Sequence, residues 1–543
     1  MNKLLSILTF IFLSFQLYAA DYHVGPGQTY TNIGDAPWAT LQAGDRVYIH
    51  WRSTPYYEKW VINAQGTAND PIEIIGVLGT NGEKPIIDGD GAVTATGLNY
   101  WGENRGIIKI GGSNTPTDGL PSYITIENLE VRSGRPAYSF TNDNSMTEAY
   151  ADNCASIYIE KGEHITIRNC DIHDSGNGIF IGAFDGATQD ILITGNYIYD
   201  NGIDGSFYEH NTYTAAIDIT YEYNRFGPLR SGALGNNLKD RSAGLVVRYN
   251  WIESGNRQLD LVDAEDSQVL VNHPSYSSTY VYGNILIEPD GAGNSQIVHY
   301  GGDSGTLADY RKGDLYFYNN TIISTRSGNT TLVRLSTQDE TMHAFNNVIY
   351  NTANGSNMAL MNDEGTLNIH HNWMPTGWVD SHSAMTGTIN DQGNNINGTD
   401  PLFNDFANQD FTLQDNSPLV EAGDAIPAIH LPDHKVANEY LKHTGDTVRY
   451  VVGQIDIGAF ENTTNLSIDV HNQSIAIIYP NPSKNWVQID VVDFELVEIH
   501  SINGQFILKS NENLIDISEF ESGVYLLKVV TAQGQSFARL IKE

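Results

Sequence analysis

The 543-residue chain reads as an all-β protein: a solenoid of stacked parallel strands over most of its length, then a small β-sandwich module. Three observations predict this. A short apolar motif ending in Asn recurs from Tyr123 onward. The composition, 17% charged with 51 Gly and 30 Tyr, disfavours long surface helices and favours strands and turns. A polar stretch at 462–474 separates the repeat from a last segment with its own strand-and-turn pattern.

Residues 1–20 read as a secretory signal: Lys3 supplies the positive start, Leu4–Leu17 the apolar stretch, and Tyr18-Ala19-Ala20 a small-residue cleavage site. No later run is apolar and long enough to span a bilayer, so no membrane span is expected. The formal net charge of −36 argues against nucleic acid or an anionic membrane as partner. It suits a secreted protein whose acidic loops hold Ca²⁺. Cys154 and Cys170 are the only cysteines. In an oxidising compartment they either pair or remain two buried thiols.

In 21–461, short apolar runs such as Arg46–His50 and Pro71–Ile75 alternate with Gly, Asn and Asp turns, which is strand chemistry. The repeat then appears as YITIENLEVRSG, HITIRNCDIHDS, DILITGNYIYDNG, LVVRYNWIESGN and four later copies. Its marker residues are Asn128, Asn169, Asn196, Asn250, Asn284, Asn320, Asn347 and Asn372, separated by 41, 27, 54, 34, 36, 27 and 25 residues. The shortest separations suit one coil of a solenoid; the longest reads as an inserted loop or two coils. One such strand cannot bury its apolar face alone, so coils stack and share a core. Asn tolerates left-handed turn geometry, and its amide bonds to the Asn of the next coil.

This repeat resembles the right-handed parallel β-helix of the pectate-lyase-like type, over 21–461. The phrase LQAGDRVYI resembles the opening rung of such proteins. Thr399–Phe403, Asp410–Leu413, Ser417–Gly423 and Asp456–Glu461 resemble their closing segment. In 475–543, the features Tyr479-Pro480-Asn481-Pro482, Ile502-Asn503-Gly504, Ser522-Gly523-Val524-Tyr525 and the basic end Arg539–Lys542 closely resemble the C-terminal sorting domain of the type IX secretion system. That resemblance implies the secretion machinery as a partner, passage through the periplasm, and release or attachment at the cell surface.

The chemistry is expected where the beat is interrupted, from His210 to Glu265. Arg225, Arg230, Lys239, Arg241, Arg248 and Arg257 fall within 33 residues, opposed only by Asp240 and Glu253. A positive spot on a very acidic chain points to an anionic polysaccharide. Alternate strand residues share a face, so Lys239 points outward and Leu238 inward; Asp240 would then also point inward. Asp260 lies 21 residues after Lys239, close to one coil, and faces outward between Leu259 and Leu261.

Such a cluster suits β-elimination at a uronate. A base removes the proton α to the carboxyl, and a cation or Arg neutralises that carboxyl. Lys239 is the expected base, with a pKa lowered by neighbouring cations. Arg241 offers two-point contact to a carboxylate, and His210 stands as a second acid or base. Tyr213, Arg257 and His299 are expected to bind substrate, and Asp260, Asp263 and Glu265 to hold Ca²⁺. The Lys239-Asp240-Arg241-Ser242 run resembles the Lys-Ser segment of the chondroitinase B/alginate lyase group, whose Lys is the base and whose Ca²⁺ binds the carboxylate. That resemblance covers Lys239; where the group has an Arg on the following coil, this chain reads Val262-Asp263-Ala264.

Two other readings compete. A glycoside hydrolase on the same scaffold needs two carboxylates, about 5–5.5 Å apart for retention or 6.5–9.5 Å for inversion, with Asp260, Asp263 and Glu265 as candidates. A non-catalytic glycan-binding solenoid would present a flat groove without converging Lys, Arg and His.

Overall fold

The computed structural model describes residues 19–463, 477–491, 493–501, 505–531 and 534–543. Most of the proposed signal, residues 464–474 of the linker 462–474, and the Ile502-Asn503-Gly504 turn lie outside them. Two compact units divide at Thr463/Thr464.

The first unit is a right-handed parallel β-helix. The coils stack strand on strand in three long sheets of 13, 11 and 13 strands, the third of which also carries the antiparallel hairpin Ser139–Thr141/Thr147–Ala149. The first begins at Asp21–Val24, paired parallel with Arg46–His50, and continues coil by coil to Thr388–Asp391. Inward positions carry Ile, Leu and Val, such as Ile124, Ile165, Ile191, Ile219 and Leu245, all buried. This single core runs the length of the stack.

An Asn ladder seals one corner. Asn196, Asn224, Asn250, Asn284, Asn320, Asn347, Asn372 and Asn395 form it: each of the first seven donates its backbone N–H to the Oδ1 of the next, at 2.9–3.0 Å. Two expected members stand elsewhere. Asn128 and Asn169 occupy the preceding position, with φ of 59° and 54°. Cys170 takes the ladder place after Asn169, its N–H bonded to Asn196 Oδ1. The 54-residue interval between Asn196 and Asn250 is two coils, with Asn224 between them.

The segment after Thr399 does not cap the end of the stack. It packs against the outside of the second sheet, where Phe403, Phe411, Leu419 and Ile457 cover Trp251, Ile285, Val348 and Trp373. Those outward positions are large and apolar, so burying them requires a cover. Cys154 and Cys170 are buried free thiols, each pushed up to about 12 mainly by burial.

The second unit has a three-stranded and a four-stranded antiparallel sheet around Val487, Ile489, Val497, Ile499, Leu527 and Leu540. Among the described residues, no helix is long and apolar enough to cross a membrane.

Candidate active site

The site lies on the third sheet. Its short strands Thr212–Thr214, Leu238–Asp240, Leu259–Leu261, Gln296–Tyr300 and Thr330–Leu335 stack in parallel register. Leu238, Leu259, Val298 and Val333 point into the core. The alternate position forms an outward column: Tyr213, Lys239, Asp260, His299 and Arg334, each the register partner of the next. Strand stacking therefore sets these groups about 4.8 Å apart along the helix axis.

Loops between coils wall this column into a cavity of about 480 Å³, which Arg241, Arg257, His210, Asn236, Asp303 and Glu265 also line. Phe207 and Tyr208 stand at its rim, 59% and 80% exposed. Of the nine expected site residues, all but Asp263 line the cavity, and Asp263 supports it from beneath.

The charges inside are paired. Lys239 Nζ bridges Asp260 Oδ2 at 2.8 Å and Asp303 Oδ2 at 2.5 Å. Asp260 also accepts from Asn236 Nδ2 at 2.7 Å and from His299 Nδ1 at 2.8 Å. Arg241 donates from Nε to the Tyr213 phenol oxygen at 2.9 Å, and its Nη2 lies 2.9 Å from both Asp303 Oδ1 and Glu265 Oε1. Asp263 Oδ1 accepts the Asp303 N–H at 2.8 Å, which orients the Asp303 loop. Asn236 Oδ1 is buried without a partner.

Several expectations change. Burial pulls the Lys239 pKa down, but Asp260 and Asp303 outweigh it and hold it above the ordinary value. Lys239 is therefore a fixed cation and not a ready base. His210 is buried, and its pKa falls to about 3 through burial and then the Lys239 charge. Its Nδ1 accepts the Asn236 N–H at 2.8 Å, so the neutral ring carries its proton on Nε2 and offers a donor. Burial also lowers the His299 pKa; Asp260 and Ser336 Oγ occupy its two nitrogens.

The basic cluster disperses. Arg230 pairs with Asp174, Arg248 with Glu222, and Arg225 sits over the Tyr197 ring, all outside the cavity. Asp240 does point inward, where it bonds Thr214 and Ser242 and pairs with the fully buried Arg311. Burial outweighs Arg311 and raises its pKa.

Asp260, Asp263 and Glu265 do not fit a Ca²⁺ ion. Ca²⁺ takes six to eight free oxygens. Here Lys239, Asn236 and His299 hold Asp260, Arg241 holds Glu265, and backbone N–H groups hold Asp263 Oδ1.

Sequence reading missed Asp303, Arg334, Asn236, Phe207 and Tyr208. Asp303 lies four residues after His299, a residue expected to bind substrate. Arg334 becomes visible only once register places it beside His299.

The carboxylates differ in environment. Burial raises the Glu265 pKa, with Asp303 adding to the rise against Arg241. Burial raises that of Asp303 too, but Lys239 and Arg241 prevail and lower it overall. Both acids sit 2.9 Å from one Arg241 nitrogen, so these oxygens are less than about 6 Å apart.

Comparison with known proteins adds the following. Residues 477–543 match the secretion system C-terminal sorting domain, which directs export through the type IX system to the cell surface or the medium. Residues 86–237 match the right handed beta helix region, a match that ends just before Lys239. No curated protein sequence matches the chain. Similar solved structures include a GH136 lacto-N-biosidase from Eubacterium ramulus (14% identity, 70% of this chain and 68% of that one, TM-score 0.40). A pectin methylesterase from Aspergillus niger matches at 11% identity over 72% of this chain and 89% of that one, TM-score 0.25. The surface protein and adhesin PfbA of Streptococcus pneumoniae matches at 11% identity over 65% and 89%, TM-score 0.31. These distant likenesses concern the fold alone.

Proposed function

We propose that the cavity is the active site of an exported enzyme that cleaves an acidic polysaccharide by β-elimination at a uronate. The observation that carries this reading is the Arg241–Tyr213 contact, Nε to phenol oxygen at 2.9 Å, beside Lys239 and Arg257. The cations neutralise the uronate carboxyl and make the α proton acidic. Tyr213 reacts as the phenolate that Arg241 faces, its own proton given up to solvent beforehand; the α proton passes to that phenolate oxygen, and the C–H electron pair forms the new C=C bond. The glycosidic C–O bond breaks with its electron pair on the leaving oxygen, which takes a proton from the Tyr213 phenol and so restores the phenolate. Arg241 faces the oxygen on which charge changes. His210 Nε2–H is a neutral donor to the sugar, and Phe207 and Tyr208 offer ring faces at the rim.

One observation favours a second reading, hydrolysis. Glu265 and Asp303 share Arg241, and their pKa values move apart, the arrangement of a general acid with an ionised partner.

Incubation with a panel of uronate polysaccharides separates the two. Elimination gives an unsaturated product end absorbing in the ultraviolet; hydrolysis gives new reducing ends without that absorbance. Reducing ends alone would overturn the lyase reading, and neither signal on any substrate would overturn both.

A further inference from the structure

On the first sheet, two coils beyond the one that carries Arg334, the strand Thr366–His370 ends at one histidine and a second, His371, follows it. Their Nδ1 atoms are 3.0 Å apart, and Asp424 Oδ2 lies 3.6 Å from His370 Nδ1 and 3.8 Å from His371 Nδ1. We propose that His370, His371 and Asp424 bind one divalent transition-metal ion of the zinc class.

The distances carry the argument. The carboxylate–imidazole separations are too long for direct hydrogen bonds. They suit ligands around a shared ion: the point equidistant from the three atoms lies about 2.0 Å from each, the length of a zinc–imidazole or zinc–carboxylate bond. Without an ion, the two neutral rings can share only one proton between facing nitrogens, and the carboxylate stands apart. Two imidazoles with one carboxylate select a transition metal over Ca²⁺ or Mg²⁺.

The surroundings hold the ligands in place. The His370 ring stacks on Phe345, centroids 5.0 Å apart and nearly parallel. His371 Nε2 lies 3.1 Å from Asn394 Nδ2; with that amide turned over, Oδ1 would accept the Nε2–H of a ring that ligates through Nδ1. Asn346 grips the Asp424 backbone twice, accepting its N–H at 2.7 Å and donating to its carbonyl at 2.8 Å. Asp424 Oδ1 accepts the Ala425 N–H, leaving Oδ2 toward the histidines. The Asp424 side chain is half exposed, so an ion has access and water can complete a tetrahedron. Because Asp424 lies on the covering segment and the histidines on a coil, the ion would staple that segment to the helix.

His371 also supplies a clean variant. Its φ is 50°, and the same turn position carries Asn319, Asn346 and Asn394 at 50°, 56° and 58°. His371→Asn therefore keeps a residue suited to that backbone while removing a ligand.

The test uses the full chain without an affinity tag, stripped with a chelator and titrated with Zn²⁺ against a chromophoric indicator. The expected result is one tight equivalent, a rise in thermal midpoint on adding Zn²⁺, and no competition from excess Ca²⁺. His371→Asn and Asp424→Asn should each weaken binding at least tenfold and lose the thermal response. No tight equivalent in the wild type, or variants that bind as tightly as it does, would overturn the proposal. Neither readout involves polysaccharide cleavage, so the result is independent of the function proposed for the cavity.

Discussion

Lys239 Nζ sits 2.8 Å from Asp260 Oδ2, and the two residues are register partners on adjacent coils. Both side chains are buried, so each charge depends on the other. Lys239→Ala leaves Asp260 with a buried negative charge that Asn236, His299 and the more distant Arg257 only partly offset. Breaking such a pair costs about 3–5 kcal/mol. The expected outcome is a clear fall in thermal midpoint along with loss of activity. The double variant Lys239→Ala/Asp260→Asn should be less destabilised than the sum of the single changes.

His210 should make stability pH-dependent. Its pKa is about 3 in the folded chain against 6.5 when free. The unfolded state therefore binds more protons between those values, and stability falls as pH drops from 6.5 toward 3. The slope from this one group is on the order of 1.4 kcal/mol per pH unit. His210→Gln should remove that part of the slope in midpoints measured across the range. An unchanged slope would mean the ring is not held neutral.

Tyr213→Phe keeps the ring and removes the phenol oxygen that faces Arg241. If elimination is the reaction, it should lower kcat by roughly 10²-fold or more, the usual scale of a proton-transfer group, with KM little changed. Glu265→Gln should then leave most of the turnover. The reverse ranking, with Glu265→Gln inactive and Tyr213→Phe active, would favour hydrolysis.

The Asn ladder should be cooperative. Asn284 accepts from both the backbone N–H and the Nδ2 of Asn250, at 2.9 and 3.0 Å, and donates to the Val247 and Tyr282 carbonyls. Asn284→Ala leaves the buried Asn250 N–H without its acceptor, while Asn250 Nδ2 and the Tyr282 carbonyl keep other partners, so the cost is about 1–3 kcal/mol. Asn395→Ala, at the less buried end of the row, should cost less. Thermal midpoints of the two variants compare them directly.

Much of the fold was legible because it is periodic. The apolar alternation and the Asn beat are local patterns, and one coil repeats the physics of the last. The misassigned Asn128 and Asn169 show the limit: ladder Asn and left-handed-turn Asn lie one position apart, and spacing alone cannot separate them. The candidate site was legible where it obeys strand parity, as for Lys239 and Asp260. It was not legible where loops of different length reach across coils, as for Asp303, or where a column depends on register, as for Arg334.

By itself the sequence determined the strand chemistry, the stacked architecture, the sorting tail and the stretch from His210 to Glu265 that breaks the repeat. Only the tertiary structure decided which of those charges meet. Three of the six clustered basic residues face the cavity, and Arg334 joins them from a later coil. The reason is physical: a charge acts through distance and burial, and in a solenoid both are set by the coil above, the coil below and the loops that cover them.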